Sequence, residues 1–93
     1  MIDANEIHER MMREDAEYAR EYDALEEEFS IAQAMIRARS RAGLTQAEVA
    51  KRMGVSQPRI AKIEAGTNVS LDILRRYAAA TGSKLKLDFQ AGQ

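Results

Sequence analysis

Residues 44–66 read LTQAEVAKRMGVSQPRIAKIEAG, and the fold turns on this stretch. Thr45 stands three residues before Glu48, the spacing of a capping box. The apolar pattern that follows runs to Met53 and breaks at Gly54. Ser56 then precedes Gln57, Pro58 and Arg59. A serine hydroxyl can hold a free N–H of a first helical turn, and a proline there lacks only an N–H with no helical partner. Two short helices are therefore predicted, over 46–53 and 57–64, with a tight turn between them. Val49, Ala50, Met53, Val55, Ile60 and Ile63 are spaced to lock the two together. Gln57, Pro58, Ala61 and Lys62 are left on the outward face of the second helix.

Working outward, Ser70 precedes LDILRRYAAAT, with Asp72 placed to favour the positive end of a helix over 71–80. Upstream, helices are predicted over 24–42 and near 4–20. Gly43, Gly54, Gly66 and Gly82 fall where helices should stop. The segment SKLKLDF (83–89) differs: Leu85, Leu87 and Phe89 alternate with Lys84, Lys86 and Asp88, the period of a strand. No second strand is visible, so this one is expected to pair with a twin subunit or another protein. The expected fold class is all-α, five helices plus one short C-terminal β-strand. The expected organisation is an acidic helical arm over 1–23, a helical domain over 24–82 and a pairing strand over 83–90.

The net charge of −1 conceals two opposite halves. Residues 1–30 hold eleven acids and three bases, a net −8; residues 31–93 hold four acids and eleven bases, a net +7. Such a split suits a polyanion on one half and a basic partner on the other. The 93-residue chain has no cysteine, which excludes disulfides and thiolate metal sites. No apolar run approaches the roughly 18 residues of a membrane span, and MIDANEIHER lacks the pattern of a secretory signal, so a cytoplasmic location and no membrane partner are expected. Enzyme readings fail on inventory. The one histidine, His8, lies in the acidic arm and reads as a solvated helix residue. Glu26, Glu27 and Glu28 point in different directions on a helix and read as a solvated face. No nucleophile stands with a base, and no cofactor is expected.

The helix around residues 24–42 carries two apolar stripes. Ile31, Met35 and Ala38 form one; Phe29, Ala32 and Ile36 form another. The second continues upstream through Leu25, Tyr22, Tyr18, Met11 and Ile7, interrupted at Glu14 and Asp15. Either the N-terminal helix folds back over it, or a dimer seam buries it, or it lies in the groove of a partner. Tyr18 and Tyr22 suit an interface anchor in the last case, and Tyr77 reads as a packing residue.

Two helices joined by a tight turn, the second with a polar outward face, make a helix-turn-helix, whose second helix lies in the DNA major groove. Gln pairs bidentately with adenine, Lys donates to guanine, and Ala or Pro touches a thymine methyl. Gln46, at the start of the preceding helix, is placed for a phosphate. Leu44-Thr-Gln-Ala-Glu-Val-Ala, Gly54-Val-Ser-Gln, Ile60, Ile63-Glu64 and Gly66 closely resemble the phage-repressor-like (Cro/cI, XRE) helix-turn-helix family. The resemblance covers residues 31 to about 82 and implies a lambda-repressor-like domain. It implies that Gln46 and Asn68 meet phosphates, with Arg59 at a phosphate or a base edge. Gln57, Pro58, Ala61 and Lys62 would then face bases, and Arg39 would pair with Glu64. Pro58 and Ala61 depart from the polar readers often found at those positions, which affects base preference but not docking.

The flanks EYDALEEEFSIAQAMIRARSRAGLTQ and LRRYAAATGSKLKLDF resemble antitoxins of bacterial type II toxin–antitoxin pairs, of the HigA-like kind. That resemblance implies a homodimer that represses its own inverted-repeat operator in double-stranded DNA and neutralises a basic RelE/HigB-like ribonuclease. Ile7, Met11, Tyr18, Tyr22, Leu25 and Phe29 would meet the toxin. The alternatives are a stand-alone XRE-type repressor, whose arm serves only folding or dimerisation, and an interaction module that no longer reads DNA.

Overall fold

Each helix of the C-terminal half starts on a residue whose side chain holds a free N–H of the first turn. In the computed structural model, which describes residues 4–92, five helices follow in order: α1 (Ala4–Glu14), α2 (Ala16–Ala42), α3 (Gln46–Met53), α4 (Gln57–Ile63) and α5 (Leu71–Ala80). Residues 1–3 of the expected arm lie outside the described residues. Thr45 Oγ1 accepts from the Glu48 N–H at 3.1 Å, and Glu48 Oε1 accepts from the Thr45 N–H at 3.2 Å, a complete capping box. Ser56 and Ser70 accept from the Arg59 and Ile73 N–H groups at 3.2 and 3.1 Å.

The apolar positions of these helices converge on one core: Met35, Ala38, Val49, Ala50, Met53, Ile60, Ile63, Tyr77 and Ala80. Val49 and Ile60 are fully buried, so α3 and α4 lock together at the residues that the spacing singled out; Val55 is half-buried against the same core. Met35 and Ala38 bring one stripe of α2 onto this core. Two arginines fasten α3 to α5 reciprocally. Arg52 of α3 donates to the Ala80 carbonyl at the end of α5 (2.9 Å), and Arg76 of α5 donates to the Met53 carbonyl at the end of α3 (3.0 Å). Each cation meets the negative end of the other helix.

Three features depart from the sequence reading. The break in the N-terminal half falls at Asp15 rather than between residues 20 and 24. Asp15 takes an extended conformation, and its Oδ1 accepts from the N–H groups of Glu17 (3.0 Å) and Tyr18 (3.1 Å). No glycine or proline stands at 20–24 to stop the helix, so α2 runs unbroken for 27 residues, about 40 Å. It dominates a molecule 49 Å in its longest extent.

Second, His8 is half-buried rather than solvated. Its Nδ1 lies 2.8 Å from the Tyr18 hydroxyl, and its ring centroid is 4.2 Å from that of Tyr22. The turn at Asp15 folds α1 back across the start of α2, and these three rings clamp the corner.

Third, residues 83–92 form no strand. A strand is defined by its ladder, and no second strand exists among the described residues to supply one. Leu85 is half-buried, while Leu87 and Phe89 stay exposed.

Candidate nucleic-acid interface

The outward side of the helix-turn-helix is built on a buried carboxylate. Glu64 follows the last residue of α4 and is only 4% exposed. Its Oε2 accepts from Arg39 Nε (2.7 Å) and from the Tyr77 hydroxyl (2.6 Å). Its Oε1 accepts from Arg39 Nη2 (3.1 Å) and from Gln46 Nε2 (2.9 Å). Four donors fill the roughly four lone-pair sites of a carboxylate. Arg39 also donates Nη1 to the Leu44 carbonyl (3.2 Å), which ties the α2–α3 connection to the same point. Bidentate pairing of this kind fixes geometry as well as charge.

The network reaches the surface through two glutamines. Gln46, the first residue of α3, gives one amide hydrogen to Glu64 and accepts on its Oε1 from Gln57 Nε2 at 2.7 Å. Gln57 is the first residue of α4 and is exposed. Its orientation is therefore set by a chain that runs Gln57–Gln46–Glu64–Arg39 into the core. The second amide hydrogen of Gln46 is left for an acceptor outside.

The other residues expected to contact DNA lie around α4 and the loop that follows it. Pro58, Ala61 and Lys62 are exposed with Gln57. Arg59, Lys62 and Asn68 line one shallow hollow of about 360 Å³ between α4, the 64–70 loop and α5. Asn68 holds the left-handed conformation (φ 53°), which asparagine tolerates better than most residues. The arm residues lie elsewhere. Leu25 and Phe29 are each 63% exposed on α2, Ile7 and Met11 are exposed on α1, and Tyr18 and Tyr22 are half-buried by His8. Glu26 and, more weakly, burial raise the Tyr22 phenol above its usual range, a sign of the negative field along this arm.

Tyr77, which the sequence reading takes as packing, lies in the core and also joins the Glu64 network. It is 2% exposed, and its hydroxyl lies 2.9 Å from the Met35 carbonyl as well as against Glu64. The available signal was its chemistry: a buried tyrosine hydroxyl needs a partner, and the apolar neighbours Leu74, Ala78 and Ala80 supply none.

Charge and burial compete at Glu64. Burial raises its pKa, but hydrogen bonds from Arg39, Tyr77 and Gln46 outweigh it, and the carboxyl titrates below its usual value of 4.5. Arg39 is raised in return, chiefly by its hydrogen bond to Glu64. Burial and then the hydrogen bond to Glu64 push the Tyr77 phenol above 10.0. A depressed carboxyl stabilises the fold above its unfolded pKa, and that contribution disappears as pH falls through the folded value. A raised phenol stabilises below pH 10.0 and ceases to do so as pH rises through its folded value. Denaturant midpoints followed against pH are expected to fall below 4.5 and again above 10.0, and a Tyr77→Phe variant is expected to have a shallower alkaline limb, what remains coming from groups such as the raised Tyr22 phenol. An alkaline limb undiminished in Tyr77→Phe would place its origin elsewhere.

With this geometry in view, the chain is similar to known proteins in two ways. The HTH_3 family model, helix-turn-helix, matches residues 35–87. Two curated relatives, each named Antitoxin HigA1, come from Mycobacterium tuberculosis strains CDC 1551 / Oshkosh and ATCC 25618 / H37Rv. Each is 40% identical over 75 residues, covering 80% of this chain and 44% of the relative. The chain thus spans less than half the length of the curated relatives it matches. No solved structure matches it. Among the described residues, no helix is long and apolar enough to cross a membrane. The matched segment takes in the end of α2, all of α3, α4 and α5, and the Glu64 network that joins them, and on that match the chain belongs to the helix-turn-helix family.

Proposed function

We propose that this protein is the DNA-binding antitoxin of a type II toxin–antitoxin pair. As a dimer it represses its own inverted-repeat operator, and its acidic arm neutralises a basic RelE/HigB-like ribonuclease in the cytoplasm. The observation that carries the DNA-binding half is the hydrogen-bonded chain from Glu64 through Gln46 to Gln57. It preorganises a base-reading amide at the N-terminus of α4, the end that meets base edges in a major-groove helix. The relatives named antitoxins support the second half, as does the −8 charge of residues 1–30.

In this reading Gln57, Pro58, Ala61 and Lys62 face bases, and Gln46, Arg59 and Asn68 hold phosphates. Lys62→Ala is expected to cost ~1–3 kcal/mol on the operator and to relax one base preference. Gln46→Ala is expected to weaken every DNA site and also to blur the preference at Gln57, because Gln57 loses its tether. Titrations of each variant with the DNA upstream of its own coding region and with random duplex separate these effects. Equal loss of Lys62→Ala on both DNAs removes its base-reading role. Affinity should fall with salt by about 0.9 in log–log slope per neutralised phosphate. A dimer should protect half-sites about 34–36 Å apart, or a related spacing.

The alternative, a stand-alone XRE-type repressor, draws on the fold-back of α1, which buries part of the arm's stripe within the chain. Leu25 and Phe29 distinguish the two, since the fold-back leaves both uncovered. The double variant Leu25→Arg/Phe29→Arg should keep its thermal midpoint and DNA affinity while losing neutralisation of the product of the adjacent reading frame, measured by growth on co-expression. Neutralisation that survives the double variant sinks the arm's role.

A further inference from the structure

We infer that Glu28 weakens the grip of this protein on DNA: its carboxylate is held beside the turn that presents Asn68, where it repels the phosphate that Asn68 would hold. This repulsion deepens the DNA-binding half of the proposed function and rests on that reading, though not on the toxin.

The acidic half of the chain reaches the edge of the reading face at Glu28. Thr67 Oγ1 donates to Glu28 Oε2 at 3.5 Å, a long hydrogen bond that spans 39 residues of sequence. Asn68 follows Thr67, and both line the shallow hollow that Arg59 and Lys62 share. Glu28 has little freedom to move away. A Cβ on Gly66 would overlap its carbonyl oxygen, so the turn and α2 meet backbone to backbone, and Glu28 is half-buried there. Among the described residues the ion pair is that of Arg39 with Glu64, so no cation is paired with Glu28. The hollow thus has two cations on one side and a fixed carboxylate at its rim.

Distance and dielectric set the size of the effect. A phosphate that accepts from Asn68 stands about 10 Å from the Glu28 carboxylate, one residue and one hydrogen bond beyond Thr67. Two like unit charges at that separation weaken association about twofold in a water-like dielectric and about fifteenfold in the dielectric of a protein surface. The Debye length is about 10 Å at 0.1 M salt and about 3 Å at 1 M, so the repulsion acts at low salt and fades as salt rises. Phosphate contacts carry no sequence information. The carboxylate therefore opposes every duplex alike and leaves the preference for one sequence over another unchanged. Its effect is the opposite of that of Arg59 and Lys62, and it ties the affinity of the reading face to the charge of the helix that carries the acidic arm.

Three substitutions in the full chain separate charge from structure. Glu28→Gln removes the charge and keeps an oxygen that can accept from Thr67. Glu28→Asp keeps the charge on a shorter side chain. Glu17→Gln removes the same charge eleven residues earlier in α2, about 16 Å along its axis. Each variant is titrated with the DNA upstream of its own coding region and with a random duplex, at low and high salt, beside a thermal unfolding curve that shows it folded. At low salt Glu28→Gln should bind both DNAs more tightly by the same factor, about two- to fifteenfold for each copy on the DNA, and the gain should fade at high salt. Glu28→Asp and Glu17→Gln should bind like the parent. Unchanged or weaker binding by Glu28→Gln overturns the repulsion. So does an equal gain from Glu17→Gln, which would assign the effect to net charge, or an equal gain from Glu28→Asp, which would assign it to side-chain length. A gain that persists undiminished at high salt overturns it as well. A parent protein that binds no duplex removes the DNA-binding reading, and the repulsion with it. A parent that binds while Glu28→Gln changes nothing removes the repulsion alone.

Discussion

Arg39→Ala is expected to lower the free energy of unfolding by about 3–5 kcal/mol at neutral pH, the cost typical of removing one partner from a buried ion pair. The loss is large because of which partner stays behind. The Glu64 side chain is 3% exposed against 19% for Arg39, so Arg39 can turn toward water and Glu64 cannot. Without the guanidinium, the carboxylate keeps only the Tyr77 and Gln46 donors, while the burial that raises its pKa remains. A chain of this length has on the order of 5–14 kcal/mol of stability in total, so the variant should be close to unfolding at growth temperature. The penalty has a pH signature. Acid protonates the stranded carboxylate, so the difference between variant and parent should shrink as pH falls below 4.5. Urea unfolding at neutral and acid pH measures both quantities. A loss under ~1 kcal/mol at neutral pH, the worth of an exposed pair, would mean that the network does not hold α2, α3, α4 and α5 together.

The same network shows what a sequence can and cannot disclose. The starts of α3, α4 and α5 were legible because a cap is local: Thr45 and Glu48, Ser56, and Ser70 each bond within three residues; the equally local cap of α2 at Asp15 was missed because the stretch around it is helical in composition on both sides. The core of the helix-turn-helix was legible because apolar spacing encodes a face. The Arg39–Glu64 pair came from resemblance alone, since the two stand 25 residues apart with no local sign of each other. Tyr77 was passed over for the same reason: its partner Glu64 lies across the core, and an aromatic in an apolar helix already has a sufficient bland explanation. The tether of Gln57 on Gln46 was equally hidden, because each glutamine alone is an ordinary polar helix start. At the other end, the alternation of residues 83–89 was readable, yet the ladder that defines a strand requires a second segment that the described residues do not contain.

Gly66→Ala is expected to cost roughly 2–5 kcal/mol, and its reason was legible only in part. The sequence reading took Gly66 as a helix stop, but α4 ends at Ile63, and Gly66 serves a close approach instead. Its φ is +81°, a conformation that costs an ordinary L-residue roughly 1–2 kcal/mol. A Cβ there would also run into the backbone of α2, overlapping the Glu28 carbonyl oxygen and lying 3.0 Å from the Glu28 carbonyl carbon and 3.2 Å from the Ala32 nitrogen. Those atoms belong to the middle of a continuous helix and cannot give way as a flexible side chain would, so overpacking adds about 1–3 kcal/mol. The contact matters beyond stability, because it seats the 64–68 turn, and with it Asn68 and the end of α4, against the helix that carries the arm. Gly54→Ala is the matched control. It has nearly the same backbone strain, at φ +69°, with nothing within 4 Å of the added carbon. It should therefore lose only the strain term, roughly 1–2 kcal/mol. Thermal or urea unfolding of the two variants side by side isolates the contact with α2. Equal losses would show that the turn can withdraw from α2 at no cost, and α2 would then be joined to the helix-turn-helix through the Arg39–Glu64 pair and the packing of Met35 and Ala38.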